Sequence, residues 1–139
     1  MANPVNNYNS QIIEEFHANE GKVGGPFEGA TLLLLTHRGA KSGTERINPL
    51  AYIEEDGRYF VFGSKGGAST NPDWYHNLRA NPDATIEVGT QKFDVTAEVL
   101  TGEERDRVWA RNVRERPTFG EYEKRTTRKI PVIALKRKA

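Results

Sequence analysis

Glu45–Gly63, read as ERINPLAYIEEDGRYFVFG, holds two runs of β-branched and aromatic residues on either side of Asp56-Gly57. An Asp-Gly pair between such runs is a hairpin signal. Both central positions of the tight turn need φ > 0, which glycine adopts freely and aspartate tolerates. The pattern predicts a strand over 45–54 that returns as a strand over 58–63, so neighbouring strands run antiparallel.

The same punctuation recurs outward from this hairpin. Upstream, Ala30–Thr36 (ATLLLLT) is a short continuous apolar run, the pattern of a strand covered on both faces. A Gly-rich turn at Arg38–Gly43 joins it to residue 45. Downstream, Ala84–Val88 and Lys92–Leu100 flank Gly89-Thr90 as a second hairpin, and Pro131–Leu135 reads as a closing strand at an edge or first position. Helices fall between the strands. Ile12, Ile13 and Phe16 share one face of a helix over 10–19. Asn71 caps a helix that has Pro72 at its first position and contains Trp74, Tyr75 and Leu78. A third helix follows Thr101-Gly-Glu-Glu, carries Val108, Trp109 and Val113, and is broken at Pro117, with a short helical piece around Tyr122. The sum is α+β: about six mostly antiparallel strands with inserted helices, closing as a barrel. One domain spans 1–139, with 1–28 an N-terminal helix and loop. The strand–helix alternation of a dinucleotide-binding sheet and its G-x-G-x-x-G turn are both missing.

Composition narrows the chemistry. The 139 residues include no cysteine, which excludes disulfides, thiol catalysis and cysteine-held metals and suits the cytoplasm. His17, His37 and His76 lack metal-ligand spacing, so no metal site is expected. No run approaches the ~18 apolar residues of a membrane span, and the N-terminus has no basic patch and apolar core of a signal peptide. Twenty basic against 19 acidic residues leave a net charge of +1, which implies no nucleic-acid partner. The charge is uneven, however. Arg38, Lys41 and Arg46 stand within 36–46 against the single acid Glu45, while the seven cations of 124–138 read as a solvated face and frayed end.

Two stretches have the makings of a ligand site. Arg38-Gly-Ala-Lys-Ser-Gly43 with Arg46 and Asn48-Pro49 joins exposed turn amides to three cations, a combination suited to a phosphate or carboxylate or, equally, to a solvated hairpin loop. Phe62-Gly-Ser-Lys-Gly-Gly-Ala68 offers a hydroxyl, an amine and close backbone approach, and runs into the helix start at Asn71-Pro-Asp-Trp-Tyr-His-Asn77. Trp74 read singly is a core aromatic. Trp109, Phe119 and Tyr122 read as core packing or a lid, with Tyr122 the one that could touch a substrate.

In this order, Thr36-His-Arg-Gly-Ala-Lys-Ser-Gly43, Arg46-Ile-Asn-Pro-Leu50, Gly63-Ser-Lys-Gly-Gly-Ala68, Asn71-Pro-Asp-Trp-Tyr75 through Asn81-Pro82, and Ile130-Pro-Val132 resemble the deazaflavin-dependent nitroreductase family, a branch of the split β-barrel flavin-reductase superfamily. The resemblance covers about 95 residues. It implies coenzyme F420, an 8-hydroxy-5-deazaflavin whose tail carries a phosphate and a polyglutamate. It further implies that Lys41 and Arg46 hold the phosphate and tail, with Ala40 and Ser42 in the same loop. Ile47, Asn48, Pro49, Phe62, Gly63, Ser64 and Lys65 would line the deazaflavin, and Asp73, Trp74, Tyr75, His76 and Asn77 would cap it. The implied reaction is hydride transfer from C5 of the reduced deazaflavin to a small electron-poor quinone, enone or nitroaromatic, with Ser64 and Tyr122 as candidate proton donors. Where relatives often present tyrosines over the substrate, this chain has Arg116 and Phe119 and keeps Tyr122, a departure that bears on substrate range. The alternatives are an FMN-dependent reductase of the same fold and a non-catalytic carrier; the protein is expected as a monomer or a homodimer.

Overall fold

A computed structural model describes residues 11–14, 16–18, 32–40, 43–64 and 70–138. Residues 11–14 and 16–18 form helix α1, within the span expected; the remainder of the N-terminal helix and loop lies outside the described residues. Seven strands follow, β1 (Leu32–Arg38), β2 (Glu45–Ala51), β3 (Ile53–Glu55), β4 (Arg58–Phe62), β5 (Asp83–Val88), β6 (Gln91–Val99) and β7 (Val132–Arg137). Helix α2 (Asp73–Ala80) lies between β4 and β5, and α3 (Gly102–Glu115) and α4 (Thr118–Lys124) lie between β6 and β7. The strand order is β2-β1-β5-β6-β7-β4-β3 and every pairing is antiparallel. The sheet curls into the expected split barrel.

The seventh strand comes from the stretch expected as one strand over 45–54. The chain leaves the ladder at Tyr52 because β2 pairs with β1 and β3 with β4, at opposite ends of the strand order. One segment thereby serves both edges, and β2 comes close to β4. The turn behaves as Asp-Gly predicts, with Asp56 at φ 54° and Gly57 at φ 79° joining Glu55 to its partner Arg58.

Both faces of the sheet are covered, which explains the unbroken leucines of β1. Alternation sends Leu33 and Leu35 into the barrel interior with Val61, Trp74, Ile86, Val95, Ile133 and Leu135. Leu32 and Leu34 pack outside with Ile12 and Phe16 of α1. On β4 and β7 the outward residues Phe60, Phe62, Val132 and Ala134 meet Val108 and Trp109 of α3. Ion pairs hold α3 to the β3–β4 hairpin: Glu55 with Arg107 at 2.7 Å and Arg111 at 2.9 Å, and Arg58 with Glu104 at 2.9 Å.

Three expectations change. Asn71 is not the cap of α2; Pro72 occupies that position, and Asn71 Oδ1 accepts a hydrogen bond from Arg128 instead. Pro131 precedes β7, which is no edge strand but lies between β6 and β4. The basic tail is not frayed through residue 137. Lys136 and Arg137 pair within β7, Arg137 stacks over the Phe93 ring at 4.4 Å, and Lys138 bonds Asp83 at 2.9 Å. Among the described residues no helix is long and apolar enough to cross a membrane.

Candidate functional site

The β1–β2 turn is closed by two backbone bonds of 2.9 Å, from Gly39 N–H to the Thr44 carbonyl and from Gly43 N–H to the Gly39 carbonyl. Lys41 and Ser42 lie outside the described residues, as does Lys65. Ala40 is exposed at the tip, and its N–H donates to Asn77 Oδ1 of α2 at 2.9 Å. Asn77 in turn lies 3.1 Å from His37 Nδ1, and His37 Nε2 lies 2.6 Å from Asn48 Oδ1. Turn, helix and second strand therefore meet on one imidazole that is 2% exposed.

The pleat divides the expected contacts. Register sets His37 opposite Arg46 and Leu35 opposite Asn48, so Arg46 and Asn48 share the inward face with Leu35. Ile47 packs against the α1 cluster, and Pro49 follows it by alternation. Arg46 is exposed, with no hydrogen bond or ion pair from its guanidinium to any described residue. On α2, the Trp74 ring belongs to the interior core, Tyr75 is half-buried beneath the Arg79 guanidinium at 5.6 Å, and Asp73 and His76 are exposed. Asp73 already sets a carboxylate at the positive end of the helix.

The second half of the site lies where β4 ends. Gly63 is buried, and its N–H donates to the Pro131 carbonyl at 2.9 Å. Ser64 is 7% exposed, and its carbonyl accepts from Arg128 at 2.8 Å, while the same guanidinium bonds Asn71 at 2.7 Å. Arg128 thus fixes both sides of the segment between 64 and 71. Nothing in the charge of the basic tail marks Arg128 for this role.

Phe62, Trp109, Phe119 and Tyr122 form a contiguous aromatic set, with Phe119 5.7 Å from Phe62 and 5.5 Å from Tyr122. Tyr122 is half-buried, its ring under Arg125 at 5.9 Å. Arg116, at a position where relatives present a tyrosine, donates to the Tyr52 carbonyl at 2.9 Å and to Asn112 at 3.3 Å, latching the end of α3 to the break between β2 and β3.

Burial holds the His37 imidazole below its ordinary pKa of 6.5, and the nearby Arg46 charge adds to this against the hydrogen bond to Asn48 and the charge of Asp73. A folded-state pKa below the unfolded one means that the unfolded chain binds the extra proton, so stability rises with pH across that window. We expect unfolding free energy to fall as pH drops below about 6.5, and His37→Gln to flatten that fall. Glu55, Glu104 and Glu115 are held below the usual carboxylate range by their arginine partners and stay ionised through it. Urea titrations between pH 7.5 and 5 would show the difference.

Residues 10–137 match the family model described as F420H(2)-dependent quinone reductase. An F420H(2)-dependent quinone reductase of Mycobacterium tuberculosis (strain H37Rv) is 38% identical over 127 residues, covering 88% of this chain and 85% of the relative. The solved structure of an F420-H2 dependent reductase (FDR-A) superposes with TM-score 0.70 at 41% identity, over 76% of this chain and 94% of that one. A structure described as a domain-swapped dimer superposes with TM-score 0.72 at 36% identity, over 94% and 96%.

Proposed function

This chain belongs to the F420H(2)-dependent quinone reductase family, and on that premise we propose that it binds reduced coenzyme F420 and reduces a small quinone-type acceptor. The observation that carries the reading is the inward face of β2. Arg46 presents a cation with no partner among the described residues, and Asn48 stands beside it with its amide oxygen already engaged by His37. A phosphate and a polyglutamate need cations and N–H donors, and this strand presents both. Lys41, Ser42 and Lys65 join that set by their place in the sequence.

When bound, reduced F420 supplies a hydride from C5. Taking a quinone to its quinol then needs one proton besides the hydride. The Ser64 and Tyr122 hydroxyls are the proposed donors, at the end of β4 and at the rim of the aromatic set. Phe62, Phe119 and Tyr122 offer a flat acceptor apolar walls that exclude water. Nitroaromatics and enones, flat and electron-poor in the same way, extend the proposed range. Ile47, Pro49 and Trp74 act by packing the strands and α2 behind the site, and a cytoplasmic location is the proposed one, with which the cysteine-free composition is compatible.

A fluorescence titration with F420 and FMN tests the cofactor, and the reading fails if FMN binds as tightly or better. Anaerobic mixing of the reduced coenzyme with a quinone tests the reaction, since a carrier would bind it and leave it reduced. Arg46→Ala is expected to weaken F420 binding by about 1–2 kcal/mol, roughly 5–30-fold, with the deficit shrinking as salt rises.

A further inference from the structure

We propose that His37, as its neutral Nε2–H tautomer, is a positioning residue that turns Asn48 into a hydrogen-bond donor toward the cofactor and ties the β1–β2 turn to α2.

The proton arrangement follows from one group whose role is fixed. A backbone N–H only donates, so the Asn77 atom 2.9 Å from Ala40 N is the amide oxygen. That leaves Asn77 Nδ2, also a donor, facing His37 Nδ1 at 3.1 Å. Nδ1 must then be a bare lone pair, and a neutral ring carries its proton on Nε2. From there the proton points at Asn48 Oδ1, 2.6 Å away. With its oxygen taken, Asn48 has its NH₂ left to offer a ligand. Phosphate and carboxylate oxygens and the ring carbonyls of a deazaflavin are all acceptors, so the polarity matches.

The chain of donors has one direction only. A second ring proton, on Nδ1, would face the Asn77 NH₂ head-on. Asn77 could answer by turning its amide, which would leave Ala40 N–H facing another donor. Protonating the imidazole therefore releases the turn. The charges set around the ring are Arg46 from β2 and Asp73 from α2, with Arg38 and Glu45 beside the turn and Asp83, Asp94 and Lys138 across the cleft that His37 borders. The four residues come from β1, the turn, β2 and α2, and a sequence separation of 40 between His37 and Asn77 shows that no local rule joins them.

The role assigned to Asn48 rests on the F420 reading; the tautomer does not. Long-range ¹H–¹⁵N spectra of the free protein at pH 7.5 should show His37 protonated on Nε2 alone. A Nδ1–H tautomer or a charged ring overturns the proposal. His37→Phe, which fills the space but breaks both bonds, should weaken F420 binding roughly tenfold or more. His37→Gln, with one donor and one acceptor, should recover most of that loss. Asn48→Asp should keep the imidazole signature, because an oxygen still faces His37, yet weaken F420 binding at least as much as His37→Phe. Equal affinity for wild type and for folded His37→Phe overturns the proposal. Failure of the wild type to bind F420 would remove the functional reading, and the tautomer would then be judged on the spectra alone.

Discussion

Truncating Leu35 to alanine is expected to cost about 2–5 kcal/mol of folding stability, toward the upper end of that range. The side chain is 0% exposed and points into the barrel interior with Leu33, Val61, Trp74 and Ile86. The cost of such a deletion combines the lost transfer of the removed carbons with the cavity left behind, and the cavity part depends on how far the walls can collapse. Here they are held. β1 pairs with β2 on one side and β5 on the other, Leu35 facing Asn48 and Ile86 across the two ladders. Leu34, one residue earlier, packs instead on the smaller cluster formed with α1, so Leu34→Ala should cost less. Denaturant unfolding of both variants, with an unchanged slope, is the measurement. Equal losses, or less than about 1 kcal/mol for Leu35→Ala, would mean that the interior repacks more freely than the two-sided pairing of β1 implies.

Gly63→Ala carries the second large expected effect, and here stability and function move together. A Cβ at position 63 would stand 2.7 Å from Pro131 Cγ, 3.2 Å from Pro131 Cδ and 3.4 Å from Pro72 Cδ. These are ring atoms, with no rotamer to swing away, so relief must come from the backbone at the end of β4. That backbone is pinned as well, by the bond from Gly63 N–H to the Pro131 carbonyl and by Arg128 on the Ser64 carbonyl. An overpacked site of this kind costs about 1–3 kcal/mol. Because Ser64 is the next residue, the displacement falls on a proposed proton donor. Quinone turnover should therefore drop by more than F420 affinity does. A variant with wild-type melting temperature and wild-type turnover would show that the two prolines yield and that this contact does not hold Ser64.

Gly63 also shows how far a residue's type goes toward fixing its neighbours. Gly-Ser-Lys-Gly-Gly after a strand marks position 63 as a place of close approach. In the fold the approach at Gly63 is made by Pro131 and Pro72, 68 and 9 positions away in the chain. The residue type was legible, while the partner was not. Arg128 and Arg116 make the same point. Arg128, one of seven cations in a basic tail, holds Ser64 and Asn71, and Arg116, at a position where relatives present a tyrosine, latches Tyr52. A cation's charge can be counted along the chain, but its partner is chosen in three dimensions.

Local rules determined a good deal. Asp56-Gly57 imposed a tight turn because both residues can take φ > 0, and four consecutive leucines in β1 required cover on both faces. Antiparallel pairing and an α+β barrel followed from such short-range patterns, and the family resemblance added F420. Tertiary structure decided the rest. Glu45–Gly63 reads as one hairpin, yet its first half leaves the ladder at Tyr52 to serve both edges of the sheet, since only closing the barrel settles which strands pair. Strand alternation then divides Arg46, Ile47, Asn48 and Pro49 between two faces. His37, an ordinary histidine in the sequence, becomes the joint between Asn48 and Asn77 because a buried ring must find partners for both nitrogens, and those partners arrive from strands and helices far along the chain.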